Sequence, residues 1–570
     1  MSTHARPLAV RLADASDAQL SALFEARGVR DDVAWADFFD AAEALLDPNS
    51  IERMIPHLTL DEATALHRAV HGGDAGGPAA EALTDLALLG RDGTAFPPVA
   101  EVVAARDLPA GGDPGPQPPA TEQAAARAAE RAFTSVGAIA DLALLAAGTP
   151  LALLSSGNLA AGEKRRIAES GTPAEILDDL VRIAVDAAVL AVSDRRLHTT
   201  VAGEAWLRRS ASERWTSLAE AFRTALPRGL RTETDGWIPA PQWPQRYPWD
   251  PTWSEQCAAI RARAELLGLM TADGGEPEWT APLRRGEAAD ASALARMLPT
   301  EVDRIFLQND LTAIAPGPLE SALDVRLRAI AERGSAVQAS SYRFTADTVA
   351  HALTAGETAS SILDFLAGIS LTGIPQPLEY LITQTDQRHG LVRVFTDWSG
   401  RTRVSSVDGT LLDAMAVDQV LRPLALARDA EGLSSRVGRD TVYWTLTDAR
   451  YPAMIVGADG KTLVIDRNPP FDPAPSEGPD YGPLIARLRA HQGPDADAAW
   501  LGRELEAAVR TRSVLLVEID MPDGTTRELQ LEASGLGGGR LRGRDRAADV
   551  ERTLPVRSIR SARVIDPSAT

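Results

Sequence analysis

Two proline-rich breaks constrain this chain more than any other feature, because a backbone without N–H donors ends both helices and sheets. Residues 109–121 hold five prolines and three glycines, and residues 468–482 hold five more prolines. A chain of 570 residues interrupted in this way reads as several units of roughly 100–200 residues, not as one continuous core. With 45 % hydrophobic residues, each unit has the material for its own interior. The expected fold class is α+β and multidomain: N-terminal helical and winged-helix modules, a central small α/β domain, and a C-terminal small β domain.

The net charge of −21 argues against a protein that coats nucleic acid through its overall field. Residues 1–110 carry 8 basic and 18 acidic side chains, which is about half of that excess, so basic faces have room elsewhere. Arginine outnumbers lysine by 56 to 2, but the accompanying Ala, Asp, Gly and Pro make this a codon-composition signature as readily as a phosphate-binding one. The single cysteine, Cys257, excludes an intrachain disulfide and a thiolate-rich metal site. No leader-like basic and apolar start is seen, and no uninterrupted apolar run reaches the roughly 18 residues of a membrane span, so a cytoplasmic location is expected.

Along the chain, residues 1–110 read as an acidic helical and winged-helix-like domain, with Asp14 or Ser16 capping a helix that carries Leu20, Leu23 and Phe24. A Pro/Gly linker and helix start occupy 111–135. Residues 136–225 give three apolar helices followed by a hairpin across Asp194, the order expected of a winged helix. A Pro/Trp connector and a weaker winged-helix-like module fill 226–298, the latter with a hairpin expected around Asp273 and Gly274. Strands and helices alternate over 299–395, where Thr345 supplies an N-cap, Gly356 a stop, and Thr358 or Ser360 the next cap. A mixed α/β region spans 396–467, a Pro-rich linker 468–482, and a β domain 483–570, in which a Pro-Asp-Gly turn is expected at 522–524.

Within 299–395, the run Leu327-Arg-Ala-Ile-Ala-Glu-Arg, then Tyr342-Arg-Phe-Thr, then Ile362-Leu-x-x-Leu-x-x-Ile-Ser-x-x-x-Ile-Pro375 resembles the N-terminal accessory domain of XPB-type helicases. That resemblance covers about 95 residues with its flanks and implies a link to DNA, to damage recognition and to helicase partners. The sequence departs from the full helicase at one point: nothing after residue 395 resembles paired RecA-like domains, so no motor is expected. The C-terminal strands around Val514-Leu-Leu-Val-Glu-Ile519 and Leu554-Pro-Val-Arg are similar to a WYL-type β domain, without that family's aromatic triplet.

Several catalytic look-alikes fail on their own chemistry. Gly157-Asn-Leu-Ala-Ala-Gly162-Glu163-Lys164-Arg165 approaches a phosphate-binding loop, but Glu163 displaces the lysine and Arg165 replaces the magnesium-binding hydroxyl. Asp61 and Glu62 open a helix instead of ending a buried strand. His67 and His71 lack a third metal ligand, and Gly535-Leu-Gly537 joins two strands where a dinucleotide fold needs a helix. No enzyme activity, cofactor or metal is expected.

Binding residues are more promising. Lys164, Arg165 and Arg166 at a helix start, with Arg195, Arg196 and His198 on the expected wing, occupy the two parts of a winged helix that reach DNA. Period-two geometry puts Arg540, Arg542 and Arg544 on one strand face, and Glu528 and Glu532 on a neighbouring strand are available to pair with them. The expected function is a non-catalytic DNA-binding accessory or regulatory protein in repair or genome maintenance. The alternative is a protein-docking subunit that recruits an XPB-type helicase without touching DNA.

Overall fold

The computed structural model describes residues 5–565 apart from 110–113, 170, 335–339, 458, 474–477, 493–495 and 522–524. The turn expected at 522–524 therefore lies outside the described residues. The chain is a mixed α/β protein with several small sheets, each on its own hydrophobic core.

Helices dominate the N-terminal unit, from Ala5–Asp14 and Asp17–Ala26 to Pro97–Val103. Ser16 caps the second of these in a capping box closed by Gln19, so its start is set by local hydrogen bonding. Among the described residues, strand structure here is a single bridge, Leu89 to Ala95. The core is completed from the far end of the chain: Leu8, Phe24, Phe38 and Leu66 pack with Tyr481, Leu484, Ile485, Leu488 and Trp500. Each such buried side chain contributes roughly 1.5–3 kcal/mol, so the two ends of the chain are joined by a shared interior. Polar contacts fix the register. Tyr481 Oη donates to Val29 O at 2.7 Å, Arg489 Nη1 donates to Ala13 O at 2.6 Å, and the Arg489 guanidinium lies 5.5 Å from the Phe38 ring centroid. The segment expected to open the β domain thus begins as two helices, Gly482–Ala490 and Ala496–Thr511, the first of which belongs to the N-terminal core.

The 27-residue helix Glu122–Gly148 founds the next unit. Among the described residues it is the one helix long and apolar enough to cross a membrane, yet Ile139, Leu142 and Ala143 on it are fully buried in the protein's own core. Strand Leu151–Ala152, helices Ala161–Ala168 and Leu177–Asp186, and the hairpin Leu190–Ser193/Arg196–Thr199 follow. The turn uses only Asp194 and Arg195, both at positive φ (49° and 56°), the backbone that matches strand twist in a two-residue hairpin.

The expected third module differs from its sequence reading. Helix Trp253–Leu266 packs on Glu122–Gly148 within the same core, and Thr271–Gly275 closes a tight turn without flanking strands. Glu276 instead bridges Pro119 of the preceding linker. Pro277 withholds a ladder donor just where a returning strand would begin. Trp279 turns inward, its Nε1 donating to Gly268 O at 2.9 Å.

Two sheet units make up the centre. The first has strand order Phe306–Leu307, Thr312–Ala315, Ser340–Arg343, Glu332–Arg333, covered by helices that include Ala346–Thr354 and Ala359–Ile369. Thr345 and Thr358 cap these helices in capping boxes, and Gly356 at φ 100° lies just beyond the end of the first. Asp141 of the long helix accepts from both Arg328 and Arg333, at 3.2 Å for the latter, which docks this unit on its neighbour. The second sheet has six strands, in which Val392–Thr396 runs antiparallel to Thr402–Ser406 and parallel to Ala453–Val456. Val392 and Val394 alternate inward onto Val404, Leu433 and Ile455. A boundary between 395 and 396 would cut this hairpin, so strand Val392–Thr396 opens the second unit and does not close the first.

The last unit is a five-stranded antiparallel sheet, ordered Val550–Pro555, Arg540–Asp545, Thr526–Gly537, Val514–Asp520, Ile559–Ile565. Helix Ala496–Thr511 covers it with Leu501, Leu505 and Ala508.

Candidate nucleic-acid interface

On strand Arg540–Asp545 the alternation is complete: Arg540, Arg542 and Arg544 are exposed, and Leu541, Gly543 and Asp545 are buried. Their surroundings differ along the row. Arg544 lies between Glu532 and Glu551 on the flanking strands, and its Nη2 bonds Asp549 at 2.7 Å. Arg546 Nε stands 3.8 Å from Glu532. Arg542, by contrast, faces Gly535 and Thr553, and Arg540 faces Gly537 and Pro555. Neither has a carboxylate partner among the described residues. The glycines matter because a strand without side chains cannot screen a neighbouring guanidinium.

Gly538 and Gly539 turn the hairpin at φ 58° and 71°, and the Val556 N–H donates to Gly539 O at 2.9 Å. This places exposed Arg557 beside the turn, also without a carboxylate partner among the described residues. The inner face is pinned by Asp545, which is 2 % exposed and accepts from Arg552 Nε at 2.6 Å and from the Ala547 N–H at 3.0 Å. The Arg552 hydrogen bond holds the Asp545 carboxyl below its ordinary value. The outcome for the arginine row is therefore mixed: Arg544 is paired with Asp549, and Arg540 and Arg542 have no ion pair among the described residues. Sequence reasoning missed Arg557, for which the spacing Arg557, Arg560, Arg563 was the available signal.

The second candidate cluster is largely spent on internal pairing. Lys164 forms an ion pair with Asp178, Arg166 Nη2 bonds Glu163 at 2.7 Å, and Arg196 Nη1 donates to Pro150 O at 3.3 Å. His198 lies against Phe471, with ring centroids 5.5 Å apart, and the Phe471 backbone bridges Thr199 O and the Val201 N–H at 2.8 and 3.3 Å. Arg165 and Arg195 remain exposed and without an ion pair among the described residues. Helix Leu177–Asp186, the one preceding the hairpin, carries Asp178, Asp179 and Asp186, and its Arg182 bonds Asp186 at 2.9 Å. It packs against three helices, and burial pushes the Asp179 carboxyl up. An acidic, embedded helix is unsuited to a DNA groove.

The remaining look-alikes are committed to packing. Glu62 accepts the Thr59 N–H at 2.8 Å and Arg228 Nη2 at 2.7 Å, and Asp61 accepts Arg246 Nη2 at 2.9 Å. His67 and His71 stack at 4.1 Å. Among the described residues no group of three His, Cys, Asp or Glu side chains is placed to hold a metal ion.

Residues 305–430 match the family model described as the helicase conserved C-terminal domain. The chain carries a helicase-related segment. The match spans less than a quarter of the 570 residues, beginning at the first strand of the central sheet unit and ending within the six-stranded one. It contains neither arginine cluster. No curated protein matches the chain.

Proposed function

We propose that this helicase-associated protein is a non-catalytic DNA-binding accessory factor of the XPB-related kind, serving repair or genome maintenance. The observation that carries this reading is the pair Arg540 and Arg542, exposed and without a carboxylate partner among the described residues, on an interior strand of the sheet in an acidic chain. Unneutralised guanidinium groups in a fixed row suit successive phosphates, and such contacts position a protein on DNA without reading sequence. The C-terminal sheet is read as WYL-like, and the order of helices and hairpin over 122–199 as a winged helix in which Arg165 and Arg195, exposed and without an ion pair among the described residues, can assist. The helicase-related segment then links the DNA-bound factor to the machinery of strand opening.

Duplex affinity measured by fluorescence anisotropy across a salt series tests this. Each phosphate contact contributes about 0.9 to the slope of log K against log salt. Arg540→Glu with Arg542→Glu should lower that slope by about 2 and weaken binding. Arg195→Glu with Arg196→Glu should lower it by about 1, because Arg196 is already engaged with Pro150. An unchanged slope in the C-terminal variant refutes the proposal.

A docking subunit for an XPB-type helicase is the second reading, favoured by the acidic, packed helix Leu177–Asp186. Co-purification of a helicase by a chain without duplex affinity at low salt would establish it.

A further inference from the structure

Trp398 stands at the apex of the hairpin formed by Val392–Thr396 and Thr402–Ser406, and it is 98 % exposed. The chain has eleven tryptophans, and the others are buried or half-buried. Placing the largest apolar side chain wholly in water is costly unless a partner covers it.

The loop that presents it is built, not loose. Asp397 Oδ1 accepts the Ser399 N–H at 2.8 Å, the Ser399 hydroxyl at 2.6 Å and the Arg401 N–H at 3.1 Å, while Oδ2 accepts Arg403 Nε at 3.0 Å. The Asp397 N–H donates to Arg401 O at 2.9 Å, and Gly400 takes φ 80° to complete the turn. These bonds fix the backbone on both sides of Trp398, so its indole is offered from a rigid tip. Arg401, next but two along the loop, is exposed, and its guanidinium has no partner among the described residues.

The surroundings decide what kind of partner fits. A tryptophan that anchors a protein interface sits within a packed apolar patch that excludes water. Here Ser399, Gly400 and Arg401 follow Trp398 in the loop, and the next fully exposed apolar side chain along the hairpin, Val407, lies beyond the far end of the second strand. An exposed indole on the same loop as an exposed guanidinium that has no partner among the described residues matches an unpaired nucleotide, whose base stacks on the ring while its phosphate meets the cation. Bases within a duplex are already stacked and offer no free face.

We infer that Trp398 and Arg401 form a stacking site for unpaired nucleotides, separate from the phosphate-binding row of the C-terminal sheet. This rests on the DNA-binding reading and extends it: the protein would hold duplex through Arg540 and Arg542 and recognise opened strand through the hairpin tip.

The test uses the full chain and its Trp398→Ala and Trp398→Phe variants, with a thymine-only single strand and a blunt duplex. The alanine variant should lose about ten-fold or more in single-strand affinity, the phenylalanine variant should keep most of it, and duplex binding should be unchanged in both. Single-strand titration should also quench tryptophan emission in the wild type and not in the phenylalanine variant. Wild-type single-strand affinity in the alanine variant, with duplex binding intact, overturns this inference alone. Equal loss on both substrates overturns it too. Absence of any DNA binding at low salt overturns it together with the proposed function.

Discussion

Glu504 gives the protein a pH-dependent stability whose size follows from its position. It lies on helix Ala496–Thr511, 4 % exposed, and its Oε2 has no hydrogen-bond partner among the described residues. Burial lifts its carboxyl from the ordinary 4.5 to about 7, with Arg6 of the N-terminal unit opposing the shift. Between those values the folded chain keeps a proton that the unfolded chain has lost. The stabilisation is therefore complete below about pH 4.5 and lost as pH rises through about 7. A shift of that size corresponds to about 3 kcal/mol at alkaline pH, at about 1.4 kcal/mol per unit. Glu504→Gln keeps the shape and removes the titration. In urea unfolding of the full chain, the stability gap between variant and wild type should widen from about 1 kcal/mol at pH 5.5 to about 3 kcal/mol at pH 8. The amide's own desolvation shifts both values equally, so the widening carries the test. A gap that stays constant with pH refutes the reasoning.

Two further outcomes follow from how the units are joined. Ending the chain at residue 480 removes Tyr481, Leu484, Ile485, Leu488 and Trp500 from the N-terminal core, so residues 5–103 should lose hydrogen-exchange protection although none of them is altered. Asp141→Ala leaves Arg328, whose side chain is 17 % exposed, and Arg333 without their shared carboxylate. The expected destabilisation is about 2–3 kcal/mol, toward the lower end for a broken buried pair because Arg333 and Asp141 are about a quarter exposed, read as a lowered denaturant midpoint.

What the sequence disclosed was local. The Ser16, Thr345 and Thr358 caps, the stop at Gly356 and the inward alternation on strand Arg540–Asp545 all depend on neighbours within a few residues, and all can be read without the fold. Long-range partners were hidden. Nothing in the spacing of Leu484, Ile485 and Leu488 tells that their apolar face closes a core more than 400 residues earlier, because periodicity specifies a face and not its partner. The same holds for charge. Lys164 looks available until folding brings Asp178 to it, whereas Arg542 has no ion pair among the described residues because the strand beside it presents Gly535. Trp398 passed unnoticed because a turn of Asp, Trp, Ser and Gly signals a hairpin, and only the structure shows that nothing covers the indole.

Hydrogen–deuterium exchange of the full chain with and without a blunt duplex locates the DNA contact instead of only detecting it. Engagement of duplex through the C-terminal sheet gives new protection over 535–544 and 555–560, with a smaller change at the hairpin around Arg195. Protection confined to helix Leu177–Asp186, or a bound duplex that leaves the C-terminal sheet unprotected, would contradict it.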